Sequence, residues 1–180
     1  YIAHKILTVL QQDGALSQRE VASQVGLSQN ACWRRIRRLT DLGIIEGYHA
    51  RLNASVIGLD LTVFIMIRTR HHSEKWSKAF KTHVESIPEV VEMHRIGGDW
   101  DYLIKVVTKS MAGYDKVYQN ITSTVELEAV TGLFSMESMV NRFDIKLIFA
   151  DDFITDRLLL NLKMDKTCTL RCDVFHCFGI

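Results

Sequence analysis

Residues 17–53 read SQREVASQVGLSQNACWRRIRRLTDLGIIEGYHARLN, and the order of signals in this stretch decides the fold. Ser17 followed by Glu20 is a capping box, in which a hydroxyl and a carboxylate satisfy the amides that a helix start leaves unpaired. Val21, Ala22 and Val25 give this short helix one apolar face. Gly26 stops it, because glycine enters the left-handed conformation without strain. Leu27 plugs the angle between two helices, and Ser28 caps the second. On that second helix Cys32, Ile36 and Leu39 form one stripe. Asn30, Arg34, Arg37 and Arg38 point the other way, with Gln29 and Trp33 on the flanks. Gly43 ends the helix. Ile44 to Asn53 has strand propensity and is expected as a small β-ribbon, with His49 and Arg51 able to reach a phosphate backbone.

A capped helix, a glycine turn and a second capped, basic helix are the parts of a helix-turn-helix. Such a unit lays the start of its second helix in the major groove. Gln and Asn suit adenine edges, Arg suits guanine edges, and further arginines suit phosphates. The candidate DNA-binding residues are therefore Ser28, Gln29, Asn30, Trp33, Arg34, Arg37, Arg38 and Arg51. The competing reading is a solvated basic helix on an ordinary bundle; the order of the signals favours DNA.

Outward from this core, charge follows the same division. The 180-residue chain has a formal net charge of +1. Residues 1–53 carry seven Lys or Arg against four Asp or Glu, whereas residues 54–149 carry eleven against twelve. The basic surplus sits where phosphates would be met. It is small for one chain, so affinity is expected to come from two heads on one site. Apolar content of 47% and charged content of 24% are globular values. The length allows one domain or two small ones. No apolar run is long enough to span a membrane and no signal peptide precedes the first helix, so the default expectation is a cytoplasmic protein without membrane contact. The chain begins at Tyr1 inside a helical pattern, and a few preceding native residues are expected.

Residues 2–12 predict a first helix with Ile2, Ile6, Leu7 and Leu10 as its stripe, closed by Asp13-Gly14. Asn53 to Asp60 reads as a linker. Leu61 to Thr69 is a strand apolar on both faces, with Leu61, Val63, Ile65 and Ile67 on one side and Phe64 and Met66 on the other. Such a strand needs cover on both sides. Two amphipathic helices follow, about Ser73 to Ser86 (Trp76, Phe80, Val84, Ile87) and about Ser110 to Thr124 (Tyr114, Val117, Tyr118, Ile121). Strands are expected at about Val90 to Ile96, Trp100 to Thr108 and Gly132 to Val140. The order is βαββαβ, an antiparallel sheet with both helices on one face. The opposite face, with Phe64 and Met66, is expected to be covered by a second copy. The fold class is α+β: an N-terminal winged helix-turn-helix over 1–53, a linker over 54–60, a ferredoxin-like domain over 61–149 and an extension over 150–180.

The block VGLSQNACWRRIRRLTDLGIIEGYHARLN resembles the DNA-binding domain of the leucine-responsive regulatory protein (Lrp)/AsnC family, the feast/famine regulators. GGDWDYLIKV, from Gly97 to Val106, resembles that family's effector-domain signature. The resemblance covers roughly residues 2–148. It implies a RAM/ACT-like effector domain, a hinge in the linker, dimers that often assemble into tetramers or octamers, and an amino-acid effector with no other cofactor. In relatives the Gly-Asp loop lines an effector pocket at a subunit interface, and the last strand supplies the other wall. By that correspondence Gly98, Asp99, Asp101 and Tyr102, with Ser135, Ser138 and Met139 by position, are the candidate effector-binding residues. The residue chemistry is compatible: exposed backbone amides hold a carboxylate, and an Asp carboxylate holds an ammonium group. On residue types alone, the same segment reads more readily as a plain hairpin, and it is the resemblance that favours an effector loop. The stretch FIMIRTRHHSEKW is similar to a proteobacterial, hence bacterial, branch of the family, with cysteine one candidate effector.

His71-His72 reads as a solvated loop in preference to a metal or proton sensor, because no third ligand lies near in sequence. Cys168, Cys172, His176 and Cys177 lack the spacing of a common zinc module, so no metal site is expected. Arg142 to Phe149 alternates like a further strand, and Asp152 to Lys163 has some helical pattern. No phosphate-binding glycine loop, nucleophile elbow or metal-ligand pair at helical spacing supports an enzyme. The expected function is a sequence-specific transcriptional regulator responding to an amino acid or related metabolite. The alternatives are a nucleoid-type architectural protein and a metabolite-binding module without specific DNA recognition.

Overall fold

The computed structural model describes residues 2–142, 144, 145 and 147. Two compact units emerge: residues 1–50 with the described residues beyond 141, and residues 51–141. The expected helix at Asp152 to Lys163 and the Cys-containing tail lie outside the described residues.

The first unit holds α1 (Ile2–Gln12), α2 (Gln18–Val25) and α3 (Gln29–Asp41). Local chemistry sets each boundary. Ser17 Oγ accepts the Glu20 amide at 3.3 Å, and Glu20 Oε2 accepts the Ser17 amide at 2.7 Å, closing the capping box. Those bonds hold the Glu20 carboxyl below its ordinary pKa. Gly26 adopts φ +70°, which turns the chain and lets the Leu27 amide reach Ala22 O at 2.9 Å. Ser28 Oγ then accepts the Ala31 amide at 3.3 Å and opens α3. Ile6, Leu7, Val21, Ala22, Val25, Cys32 and Leu39 form the buried core, with Ile36 and Leu147 packed against it. Each large aliphatic side chain buried there contributes roughly 1.5–3 kcal/mol.

The ribbon expected over Ile44 to Asn53 is not formed: residues 44–53 carry no strand. A two-stranded ribbon without a packing partner is marginal in water, and propensity alone does not hold it. The further strand expected at Arg142 to Phe149 is likewise absent from its described residues, 142, 144, 145 and 147. There Ile145 N–H donates to Gln11 Oε1 at 2.7 Å and Gln11 Nε2 donates back to Ile145 O at 3.2 Å, so this segment docks on α1.

The second unit runs β1 (Leu61–Arg68), α4 (Glu74–Glu85), β2 (Val90–Arg95), β3 (Tyr102–Thr108), α5 (Met111–Thr124) and β4 (Ala129–Phe134). The four strands form one antiparallel sheet in the order β2-β3-β1-β4. Ser73 and Ser110 cap the two helices through their hydroxyls, each at 3.3 Å. Val63, Ile65 and Ile67 of β1 and Tyr102, Ile104 and Val106 of β3 meet Phe80, Val84, Val117 and Ile121 in one buried cluster. Both helices therefore cover the same face. On the other face Phe64 pairs across to Lys105 and Leu133, and Met66 to Leu103 and Thr131. These positions are half-buried or exposed.

The last strand lies earlier than the Gly132 to Val140 expected from the pattern. β4 pairs residues 129–134 against Arg68 back to Val63, and Ser135 N–H makes a last bond to Thr62 O at 3.0 Å. Only Leu61 of β1 lies beyond that bond, and the ladder to β4 stops there. Residues 136–140 leave the ladder as irregular chain.

Candidate nucleic-acid interface and effector region

The surface of α3 follows from its buried stripe. With Cys32 and Leu39 fully buried, Gln29, Asn30, Trp33, Arg34 and Arg37 are exposed, and Arg38 is half-buried. Arg35 folds back, donating from Nη1 to Ala31 O at 3.3 Å. The Arg34 guanidinium makes no hydrogen bond or ion pair among the described residues. The Arg37 guanidinium lies 5.3 Å from the Trp33 ring centroid. Burial pushes the Cys32 thiol pKa up, partly offset by the Arg35 charge, as suits a core residue. Ser28 is spent as a cap, which leaves its backbone at the helix start. Arg51 belongs to the second unit, where its Nη2 donates to Asn141 O at 3.0 Å.

The turn between β2 and β3 begins with exposed Gly97, Gly98 and Asp99. Gly98 takes φ +108°, a conformation that a side chain would strain. Trp100 is half-buried, with the Arg68 guanidinium 5.6 Å from its ring, and Arg68 Nε sits 3.6 Å from Glu128 Oε1. Asp101 ties the turn to the end of β1. Its Oδ2 accepts the Thr69 amide at 2.8 Å, and its own N–H donates to Ile67 O at 2.9 Å. The other carboxylate oxygen stands 3.9 Å from His72 Nδ1. Tyr102 turns the opposite way. Its ring is buried edge-on to Phe80 at 5.3 Å, and its hydroxyl lies 3.1 Å from Ser77 Oγ. Thus Gly98 and Asp99 stand open, Asp101 serves the fold through one oxygen, and Tyr102 reaches the core.

Ser135, Ser138 and Met139 are not brought to this turn. Ser135 pairs at the Thr62 end of β1, whereas Asp101 pairs at the Ile67 end, about 17 Å away along the strand at ~3.3 Å per residue. Ser135 and Ser138 instead line a cleft of about 580 Å³ with Arg51, Asn53, Asp60 and Thr62. Met139 is 86% exposed. Sequence reasoning missed Arg68, Trp100 and Glu128 as one group. Only the pairing of Arg68 with Ala129 unites them, and no linear motif announces it. His71 stacks on Trp76 at 6.2 Å and lies 3.9 Å from Glu126. Among the described residues no three metal-ligating side chains gather, and no helix is long and apolar enough to cross a membrane.

Comparison with known proteins agrees with both units. A winged helix-turn-helix DNA-binding family matches residues 1–46, and the Lrp/AsnC ligand binding domain matches residues 62–145. The glutamate uptake regulatory protein of Zymomonas mobilis is 43% identical over 135 residues, spanning 75% of this chain and 82% of that protein. The crystal structure of an AsnC family transcriptional regulator from Agrobacterium tumefaciens superposes with a TM-score of 0.77 at 38% identity, covering 81% of this chain and 95% of that one. A transcriptional regulator from Neisseria meningitidis, solved as its L-Met complex, superposes with a TM-score of 0.74 at 26% identity, covering 83% and 97%. With a capped recognition helix on one unit and a βαββαβ sensor fold on the other, this chain belongs to the Lrp/AsnC family of DNA-binding transcriptional regulators.

Proposed function

We propose that the protein binds specific duplex sites as an oligomer and that an amino acid or related metabolite sets its fit to DNA. The observation that carries this reading is the α3 surface. Arg34 and Arg37 are exposed there, with their nitrogens unspent among the described residues, on a helix anchored through Cys32 and Leu39. Gln29 and Asn30 stand at its start, where a recognition helix meets base edges. Arg34→Ala should lower affinity and reduce the salt dependence of log K by about one phosphate's worth. Its oligomer should stay intact. Loss of the oligomer in this variant would remove Arg34 from the DNA face.

Two copies are the proposed working unit. Among the described residues no helix or strand of this unit packs over the sheet face bearing Phe64, Met66, Leu103, Val107 and Leu133, and an antiparallel sheet that is apolar on its second face calls for a partner. The effector is proposed to sit against Gly98 and Asp99, where turn amides and a carboxylate match the two charges of an amino acid. Asp101 and Tyr102 shape that turn. Ser135, Ser138 and Met139 contribute only if a second copy brings them there, since within one chain they lie at the far end of β1. The complex of the Neisseria relative with L-Met supports an amino-acid ligand class. The protein is proposed to act as a switch without chemistry of its own, in the cytoplasm with its DNA. Its response arises from different effector affinities of alternative assemblies.

A further inference from the structure

Trp33 is a large apolar ring on the one helix face that every other residue reserves for polar and charged groups. It is 39% exposed, it lies outside the buried core of its unit, and its indole N–H has no hydrogen-bond partner among the described residues. Burial in the core therefore does not account for the exposed part of the ring. One turn on, the Arg37 guanidinium lies over the indole at 5.3 Å. A cation–π contact at this distance favours that position of the guanidinium while leaving its donors unspent. Residues four apart on a helix stand about 5–6 Å from one another, near enough to address neighbouring base pairs. On the major-groove floor the one apolar group is the thymine methyl, and the best match to an arginine fork is guanine O6 and N7.

We propose that Trp33 is a specificity-determining residue, its indole taking a thymine methyl beside a guanine read by Arg37. This rests on the DNA-binding reading of α3 and adds the base class. The pair acts as one unit. The indole excludes water from the methyl and holds the guanidinium in the orientation that its two hydrogen bonds require. Cytosine at the thymine position presents no methyl and leaves the indole against solvent.

The test starts with the full chain and a pool of duplexes carrying 20 random base pairs. The tightest recovered duplex is then remade with deoxyuridine at one thymine at a time, which deletes only the methyl group. At one thymine next to a guanine, affinity of the native protein should fall about fourfold, the factor carried by one buried methyl. Trp33→Ala should bind the same duplex more weakly and show no difference between thymine and uracil there, while Trp33→Phe should keep most of it. Because Trp33 is exposed, the alanine variant should keep its melting temperature and oligomer size; if it does not, the comparison rests on Trp33→Phe and Arg37→Ala, the latter losing preference for the adjacent guanine. Native binding indifferent to every uracil substitution, or an equal loss in Trp33→Ala, overturns the proposal while leaving sequence-specific binding in place. Recovery of no preferred sequence overturns both.

Discussion

Replacing Asp101 separates a carboxylate that serves the fold from one that serves a ligand. Its Oδ2 accepts the Thr69 amide at 2.8 Å, on a residue only 2% exposed. Alanine removes that acceptor and leaves a buried N–H unpaired, a loss in the range of about 1–3 kcal/mol. Two backbone bonds of the same residue, to Ile67 O and from Ile96 N–H, do not depend on the side chain. The turn therefore persists, and the expected loss is mid-range, about 2 kcal/mol. Asparagine retains a neutral acceptor; since charge-assisted bonds are roughly twice as strong as neutral ones, its loss should be about 1 kcal/mol. Amide hydrogen exchange reads this directly. Thr69 should exchange about 30-fold faster in Asp101→Ala and about fivefold faster in Asp101→Asn, measured at one protein concentration. Exchange of Thr69 within about twofold of native in the alanine variant would refute the strap. Ligand response gives the second axis. If Asp101 only shapes the turn, Asn keeps the response to an amino acid and Ala weakens it. If the carboxylate holds an ammonium group, Asn loses the response as fully as Ala.

Cys32, fully buried and with its thiol pKa raised chiefly by burial, should resist alkylation by iodoacetamide at pH 8, reacting more than about a hundredfold slower than in urea. Mass spectrometry of its peptide checks this, and rapid labelling of the folded protein would contradict the packing of α3. Glu92 is held below its ordinary pKa first by the hydrogen bond from Lys105, at 2.7 Å, against partial burial and with a smaller contribution from His94. A depressed carboxylate stabilises above its unfolded value near 4.5 and loses that contribution as pH falls through the folded value. The Glu92 side chain is 48% exposed, so the effect should be no more than about 0.5 kcal/mol. Urea midpoints of native protein and Glu92→Gln should differ at pH 7 and converge below pH ~4.5; parallel profiles would count against the pair. A thermal-shift screen against the twenty amino acids should find at least one stabilising ligand. The response should fade on dilution along with the oligomer, and one that survives in a monomer would place the whole site at the 97–101 turn.

The helices were the most legible part of the chain because their signals are local. Ser17, Ser28, Ser73 and Ser110 each cap the helix expected to begin there, and Gly26 takes the left-handed turn assigned to it. β1 was legible from composition, since only a central strand is apolar on both sides, and it lies between β3 and β4. The ribbon at 44–53 does not form because strand propensity is a statement about a partner, and among the described residues none pairs with that segment. Within GGDWDY, the sequence offered Gly98, Asp99, Asp101 and Tyr102 as one recognition surface. The structure divides them: strand alternation takes hold at Asp101 and Tyr102, so one turns to backbone and the other to core.

The displacement of β4 carries the largest consequence. Pattern alone runs the strand on to Val140, because residues 135–140 alternate plausibly; the pairing with β1 ends at Ser135 instead, with only Leu61 of β1 left beyond it. The two groups of candidate effector residues then sit at opposite ends of the same central strand, and no loop movement of a residue or two closes that gap. In the proposed dimer, a two-fold axis perpendicular to β1 would set the Thr62 end of one copy against the Ile67 end of the other. A ligand held by both groups would then bind only the assembled form. That requirement supplies a physical basis for regulation: effector occupancy and assembly become one equilibrium, and the ligand needs no path of its own through the chain to influence the DNA-binding units.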